Sequence, residues 1–233
     1  YTALNTLSLH DALPISSKPR SAMKRCFLLL FLPVVLFMLG ACSEKEEPNP
    51  EYANWAARND AAFADSLRTA RNAIAQARAK WGDAWEQHCD WRVLRNYILG
   101  PNAKADSRDS VVVHCLHHGT GSGSPLSTDS VRVAYSGRLI PTANHTKGYL
   151  FDHSGTSSDS ARIFDPMFAQ TNKFAVQGVV PGFGTALQSM RIGDRWRLIL
   201  PSRLAYGETQ VDRIPGHSTL IFDVELRSFE HIH

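Results

Sequence analysis

The sequence has little charge of either sign to spare. Its 233 residues carry 25 Lys plus Arg against 22 Asp plus Glu. Four of those bases, Lys18, Arg20, Lys24 and Arg25, and one acid, Asp11, precede residue 42. From there on bases and acids balance at 21 each. No basic block remains to neutralise a phosphate backbone, which argues against nucleic acid as a partner. Long apolar runs are equally scarce: residues 27–39 form a run shorter than the roughly 20 residues that span a bilayer. The glycine and serine stretch at residues 119–124 lacks the strand-to-helix switch and following Lys of a phosphate cradle. No Ser-His-Asp or Cys-His arrangement is suggested either, because the histidines fall in a strand, in loops and in the tail.

What the first 54 residues do contain is punctuation. Residues 1–22 are set aside from the fold: Leu9-His10-Asp11-Ala12-Leu13-Pro14-Ile15 is what a common sequencing adapter gives when translated in one frame, the alternative being a natural disordered extension. Residues 23–41 follow the plan of a secretory signal, with Lys24 and Arg25 ahead of the apolar run and Leu39-Gly40-Ala41-Cys42 ending it. This resembles a bacterial lipoprotein signal with its lipobox. The resemblance implies that Cys42 becomes the lipidated first residue and anchors the chain to a membrane. Residues 42–54 then read as a tether, polar and proline-containing. Its acidic residues resemble surface-export signals of Bacteroidetes-type lipoproteins, and a solvated spacer is the plainer alternative. The expected location is the cell envelope, on the periplasmic or surface face of the outer membrane.

Residues 55–105 are expected to form a helical segment. Residues 55–89 lack proline and are rich in Ala, Arg and Gln. Phe63, Leu67, Ala70, Ile74, Ala77 and Trp81 recur at steps of four and three, giving one apolar stripe. The stripe must be buried against a second copy or against its own chain. With two alanines and only about three heptads, a monomer is favoured over a homodimer. Trp85, Trp91, Val93 and Tyr97 follow without an assignable period.

Residues 106–233 read as a sheet-forming domain. Residues 111–118 begin β-branched and form its first strand. His114 and His118 share a face of that strand but lie about 13 Å apart in extended chain, so an exposed polar strand is favoured over a metal site. Cys89 and Cys115 are the pair left to form a disulfide or to stay as two buried thiols. Residues 131–138 alternate, with Val131, Val133 and Tyr135 on one face; residues 140–150 and 154–161 are loops. At residues 179–190 a strand ends, Pro181 and Gly182 turn the chain, and Phe183, Leu187 and Met190 repeat at helical spacing. Residues 195–201 and 219–227 alternate again as strands.

The stretch VVPGFGTALQSMRIGDRWRLILPSRLAYG from Val179, then IPGHSTLIFDVEL from Ile214, with VRVAYSG at Val131 and Phe151-Asp152 upstream, closely resembles the FKBP family of peptidyl-prolyl isomerases. The resemblance implies an α+β fold, a bent antiparallel sheet forming a half-barrel over one short helix. It implies an isomerase for X-Pro bonds that uses an aromatic apolar pocket, with no cofactor, metal or covalent step. The residues that fall on the family's catalytic positions are Tyr135, Phe151, Asp152, Val180, Phe183, Tyr206 and Phe222. Phe174, Val179 and Ile214 fall on its substrate-binding positions. Phe183 is the expected floor, the Val180 N–H and Tyr206 hydroxyl the expected donors, and Asp152 the expected acceptor. Asn172 stands where some members carry an aromatic wall residue, which leaves one wall open. Implied partners are proline-containing proteins and macrolides of the tacrolimus or rapamycin type. The competing reading is a non-catalytic chaperone that retains the fold.

Overall fold

A computed structural model of the chain describes residues 49–231, apart from residues 101, 105, 156–158 and 166. The expected signal, the lipidated Cys42 and most of the tether lie outside the described residues. Along the chain come α1 (Trp55–Trp81), β1 (Trp91–Arg95), β2 (Ser110–His117), β3 (Ser130–Arg138), β4 (Leu150–His153), α2 (Ser160–Phe164), β5 (Asn172–Ala175), α3 (Pro181–Leu187), β6 (Arg195–Leu200) and β7 (Leu220–Glu230). All strands join one antiparallel sheet in the order β1-β2-β6-β7-β3-β4, with β5 sharing the outer edge of β3 with β4. The expected α+β sheet over a short helix is what forms.

The helical segment is shorter than expected. α1 stops at Gly82, whose φ of 56° lets its N–H turn back to the Arg78 carbonyl, while Arg78 and Lys80 face the negative end of the helix. A 3₁₀ turn at Gly82–His88 follows, and then a strand stands where helix was expected. β1 adds itself to the sheet edge by pairing with β2.

Alternation along β2 and β6 decides what each face of the sheet covers. Val111, Val113, Leu198 and Leu200 point to the core that holds Phe183, Leu187 and Met190. Val112 and Ile199 point the other way, against Phe63, Leu67 and Ala70 of α1, with Trp91 and Val93 packed alongside. Buried on both faces, β2 reads as an unbroken valine run rather than an alternating one. The Phe63–Leu67–Ala70 part of the α1 stripe is thus covered by the sheet of its own chain, while Ile74 is half-buried and Trp81 at its end is exposed. Phe63 and Leu67 are each stabilised by about 1.5–3 kcal/mol on leaving water.

The start of α1 is also pinned by polar contacts. The Trp55 indole N–H donates to Ser218 Oγ at 2.9 Å, and the Thr219 N–H donates to Asn59 Oδ1 at 2.8 Å. Just before the helix, Glu51 accepts hydrogen bonds from Thr142 and Asn144 of the loop after β3. Cys89 and Cys115 are both free and buried, not joined. His114 stacks on Trp91 with ring centroids 4.4 Å apart.

Candidate active site

The site grows from Gly137, on β3. Across the ladder it faces Asp152 of β4 on one side and Phe222 of β7 on the other. A Cβ at Gly137 would lie 2.6 Å from the Phe151 ring and 2.7 Å from the Phe222 ring. The missing side chain is therefore what lets two aromatic rings close over the strand. Two residues earlier, Tyr135 lies on the core-facing side of the same strand and is buried.

α3 supplies the floor. Val180 caps its start and Pro181 takes the first helical position, where a missing N–H costs nothing. Phe183 then points into the sheet, 5.1 Å from Phe222 at 73° and 6.3 Å from Tyr135 at 74°. Phe151 meets Phe222 edge-on at 5.5 Å, and Phe174 meets Tyr135 edge-on at 5.7 Å. These are the tilted arrangements that ring quadrupoles favour. Ile214 is buried beside them, placed by a turn in which Val211 and Ile214 pair and Asp212 adopts φ 50°. Arg213 of that turn donates to the Tyr149 hydroxyl at 2.9 Å, holding the turn against the loop after β3.

The floor is dry and the rim is wet. Tyr135, Phe183, Ile214 and Phe222 are buried; Phe151, Phe174, Val179 and Val180 are half-buried; Asp152 and Tyr206 are exposed. Tyr135 donates its hydroxyl to Asp152 Oδ2 at 2.7 Å, and the Asn172 amide donates to the same hydroxyl at 3.4 Å. Burial first, and then the Asp152 contact, push the Tyr135 hydroxyl well above the ordinary tyrosine pKa. Burial and the Asp152 charge raise Tyr206 as well. Both phenols stay protonated at neutral pH. Among the described residues neither the Tyr206 hydroxyl nor the Val180 N–H has a hydrogen-bond partner, so both are available as donors.

The ten residues expected from the sequence stand on β3, β4, β5, β7, α3 and the two loops flanking α3 and β6; Tyr135, Phe151, Phe174, Phe183 and Phe222 among them meet ring to ring, while Tyr206 stands exposed on the rim. Residues 121–227, which contain all ten, match the family model described as FKBP-type peptidyl-prolyl cis-trans isomerase. These residues form an FKBP-type domain. The chain is 37% identical over 133 residues to the FKBP-type 22 kDa peptidyl-prolyl cis-trans isomerase of Escherichia coli K12, covering 55% of this chain and 56% of that protein. It is also 37% identical over 143 residues to the macrophage infectivity potentiator of Trypanosoma cruzi, covering 60% and 64%. A solved structure of a peptidyl-prolyl cis-trans isomerase from Pseudomonas syringae pv. tomato aligns with a TM-score of 0.44 at 28% identity, covering 72% of this chain and 96% of that one. The chain spans about half the length of the curated relatives it matches.

Two features of this FKBP-type domain were not foreseen. Asn172 does more than leave a wall open: its amide reaches the Tyr135 hydroxyl, because β5 pairs with β3 in the register that sets Asn172 against Val133. The other is a Cys-His contact where none was expected. Cys115 Sγ lies 3.4 Å from His118 Nδ1, and His118 Nε2 lies 3.2 Å from Asp90 Oδ1. The extended-strand spacing fails there because the register slips between Cys115 and His117 and the strand stops at His117.

Proposed function

We propose that this protein accelerates cis–trans rotation about X-Pro bonds in exported or envelope proteins. The observation that carries the reading is the aromatic cage itself: a buried floor of Phe183, Phe222 and Tyr135 under a rim that offers hydrogen-bond donors. Rotation meets a barrier of about 18–20 kcal/mol because the planar amide is resonance-stabilised and polar. X-Pro bonds have nearly balanced cis and trans states, so lowering the barrier is all that is required. A proline ring seated on the floor puts its amide where water is excluded. There the twisted, less polar amide is favoured relative to the planar one. The Tyr206 hydroxyl and Val180 N–H orient the carbonyls on either side. The Tyr135–Asp152 pair, with Asn172, fixes the far wall. None of these groups needs to change protonation during the cycle.

The same cage suits macrolides of the tacrolimus or rapamycin type. Attachment to the outer membrane through Cys42 accords with the signal-like segment ahead of it. Burial of Phe63, Leu67 and Ala70 of α1 against the sheet of the same chain favours a monomer. A protease-coupled assay on proline-containing peptides tests the activity. Acceleration blocked by a macrolide is the expected result; suppression of client aggregation without any acceleration would replace the enzyme by the chaperone. Labelled palmitate entering wild type but not Cys42→Ala tests the anchor, and equal incorporation would remove it.

A further inference from the structure

A second group of reactive side chains shares no residue with the aromatic cage. Asp90 lies just ahead of β1, and its main-chain carbonyl accepts the Cys115 N–H at 2.7 Å, so the segments bearing the acid and the thiol are locked together. The slip after Cys115 brings His118 between them, Nδ1 toward the thiol and Nε2 toward the carboxylate. Opposite Cys115 across the ladder stands Trp196, whose buried indole N–H has no hydrogen-bond partner among the described residues. Cys115, His118 and Trp196 border a cleft of about 480 Å³, lined also by Arg92, Arg191 and Asp194. A nucleophile and a base thus border one cleft, with the buried Trp196 indole beside the thiol.

We infer that Cys115, His118 and Asp90 form a base-assisted thiol that exchanges with low-molecular-weight disulfides. Asp90 accepts the Nε2–H and so holds the tautomer whose Nδ1 is bare toward the thiol. His118 Nδ1 takes the Cys115 proton as Sγ attacks one sulfur of the disulfide. A new S–S bond to Cys115 forms, the original S–S bond breaks, and the departing sulfur takes the proton back from His118. Cys115 ends oxidised in a mixed disulfide and one small thiol is released reduced. The Trp196 N–H faces the sulfur on which negative charge develops. Arg191, on the border of the cleft, suits a disulfide that carries carboxylates, as glutathione disulfide does.

The histidine is needed because the thiol will not ionise unaided. Burial, and then the Asp194 and Asp90 charges, push Cys115 up to about 11, while the main chain at His117 and the Trp196 indole pull weakly the other way. The charged groups facing the pair are Asp90 and Arg92 from the β1 side, Glu86 from the preceding turn, and Arg191 and Asp194 from the turn before β6. Without His118 as base, exchange should climb tenfold per pH unit through neutrality, as the thiolate fraction of a raised thiol does.

The test incubates the full chain with glutathione disulfide from about pH 6 to 9 and maps the adduct to its cysteine by peptide mass spectrometry. Wild type should form the Cys115 adduct, with a shallower dependence on pH than the His118→Gln variant. His118→Gln should slow it by about tenfold or more near pH 7, and Asp90→Asn should slow it less. Both side chains are more than half exposed, so folding is spared, and near-UV circular dichroism checks this. Equal rates in wild type and His118→Gln, or adducts on Cys89 with none on Cys115, would overturn the inference.

Discussion

Replacing Phe183 by Ala separates the cage from the scaffold that carries it. The ring is 5% exposed and meets two others, Phe222 at 5.1 Å and Tyr135 at 6.3 Å. Truncating a buried Phe costs about 3–5 kcal/mol of stability. At about 2–4 °C per kcal/mol for a chain of this size, the melting temperature should fall by roughly 6–20 °C. The catalytic loss is smaller, because only the part of the ring surface that meets the proline in the transition state is forfeited. About 1.4 kcal/mol of that is a tenfold fall in kcat/KM, the minimum expected. The assay belongs near 10 °C, where the variant is folded and uncatalysed rotation takes minutes. Phe183→Leu keeps an apolar floor while losing both edge-on ring contacts, and should fall between wild type and Ala. A folded Phe183→Ala protein with wild-type kcat/KM would refute the floor assignment, whatever its melting temperature.

The two raised tyrosines bear on pH. Because Tyr135 and Tyr206 hold their protons more tightly folded than unfolded, kcat/KM should stay flat up to about pH 10, and an alkaline limb centred below about pH 9 would contradict this. For stability the sign is the same for both: their contribution is intact below the ordinary tyrosine value of 10.0 and is lost as pH rises above it, which urea midpoints on either side of that value would read. Gly137→Ala drives a methyl into the Phe151 and Phe222 rings; an overpacking cost of about 1–3 kcal/mol and reduced isomerase activity should appear together in melts and kinetics. Leu67→Ala should cost about 2–5 kcal/mol in denaturant titration without changing the sedimentation of the protein, because its neighbours Val112 and Ile199 belong to the same chain.

How much of this was legible in the sequence depended on whether a residue's role is local. The strands through Tyr135 and Phe222 alternate along their own length, and the Pro181-Gly182 start of α3 is a local signal, so both were readable. β1 was not, because Trp91 and Val93 face α1 while Leu94 faces the main core, and apolar content on both faces hides the period. Asn172 was readable only as the absence of an aromatic; what it does depends on the register of β5 against β3. His118 was misplaced for a related reason. A spacing of about 3.3 Å per residue holds only while a strand continues, and this one slips at Cys115 and ends at His117.

The contact hardest to foresee joins the N-terminal helix to the pocket, and Asn59 tests it. Asn59 is completely buried: its Oδ1 accepts the Thr219 N–H at 2.8 Å and its Nδ2 donates to the Trp55 carbonyl at 2.8 Å. Thr219 leads directly into β7, which carries Phe222, and Ser218 beside it receives the Trp55 indole N–H. The loop ending there holds Tyr206 and Ile214, with His217 further tied to Gly207. The start of α1 therefore acts as a splint on the loop that forms one side of the cage. Asn59→Ala leaves the Thr219 N–H buried without an acceptor, a cost of about 1–3 kcal/mol. Since Asn59 faces no substrate atom, the kinetic effect should fall on KM through a loosened Ile214 and Tyr206, with kcat changed less. Amide exchange at Thr219 and Leu220 should quicken in step with the lost stability. If exchange there is unchanged while the variant is destabilised, the helix stabilises the sheet alone and plays no part in shaping the pocket.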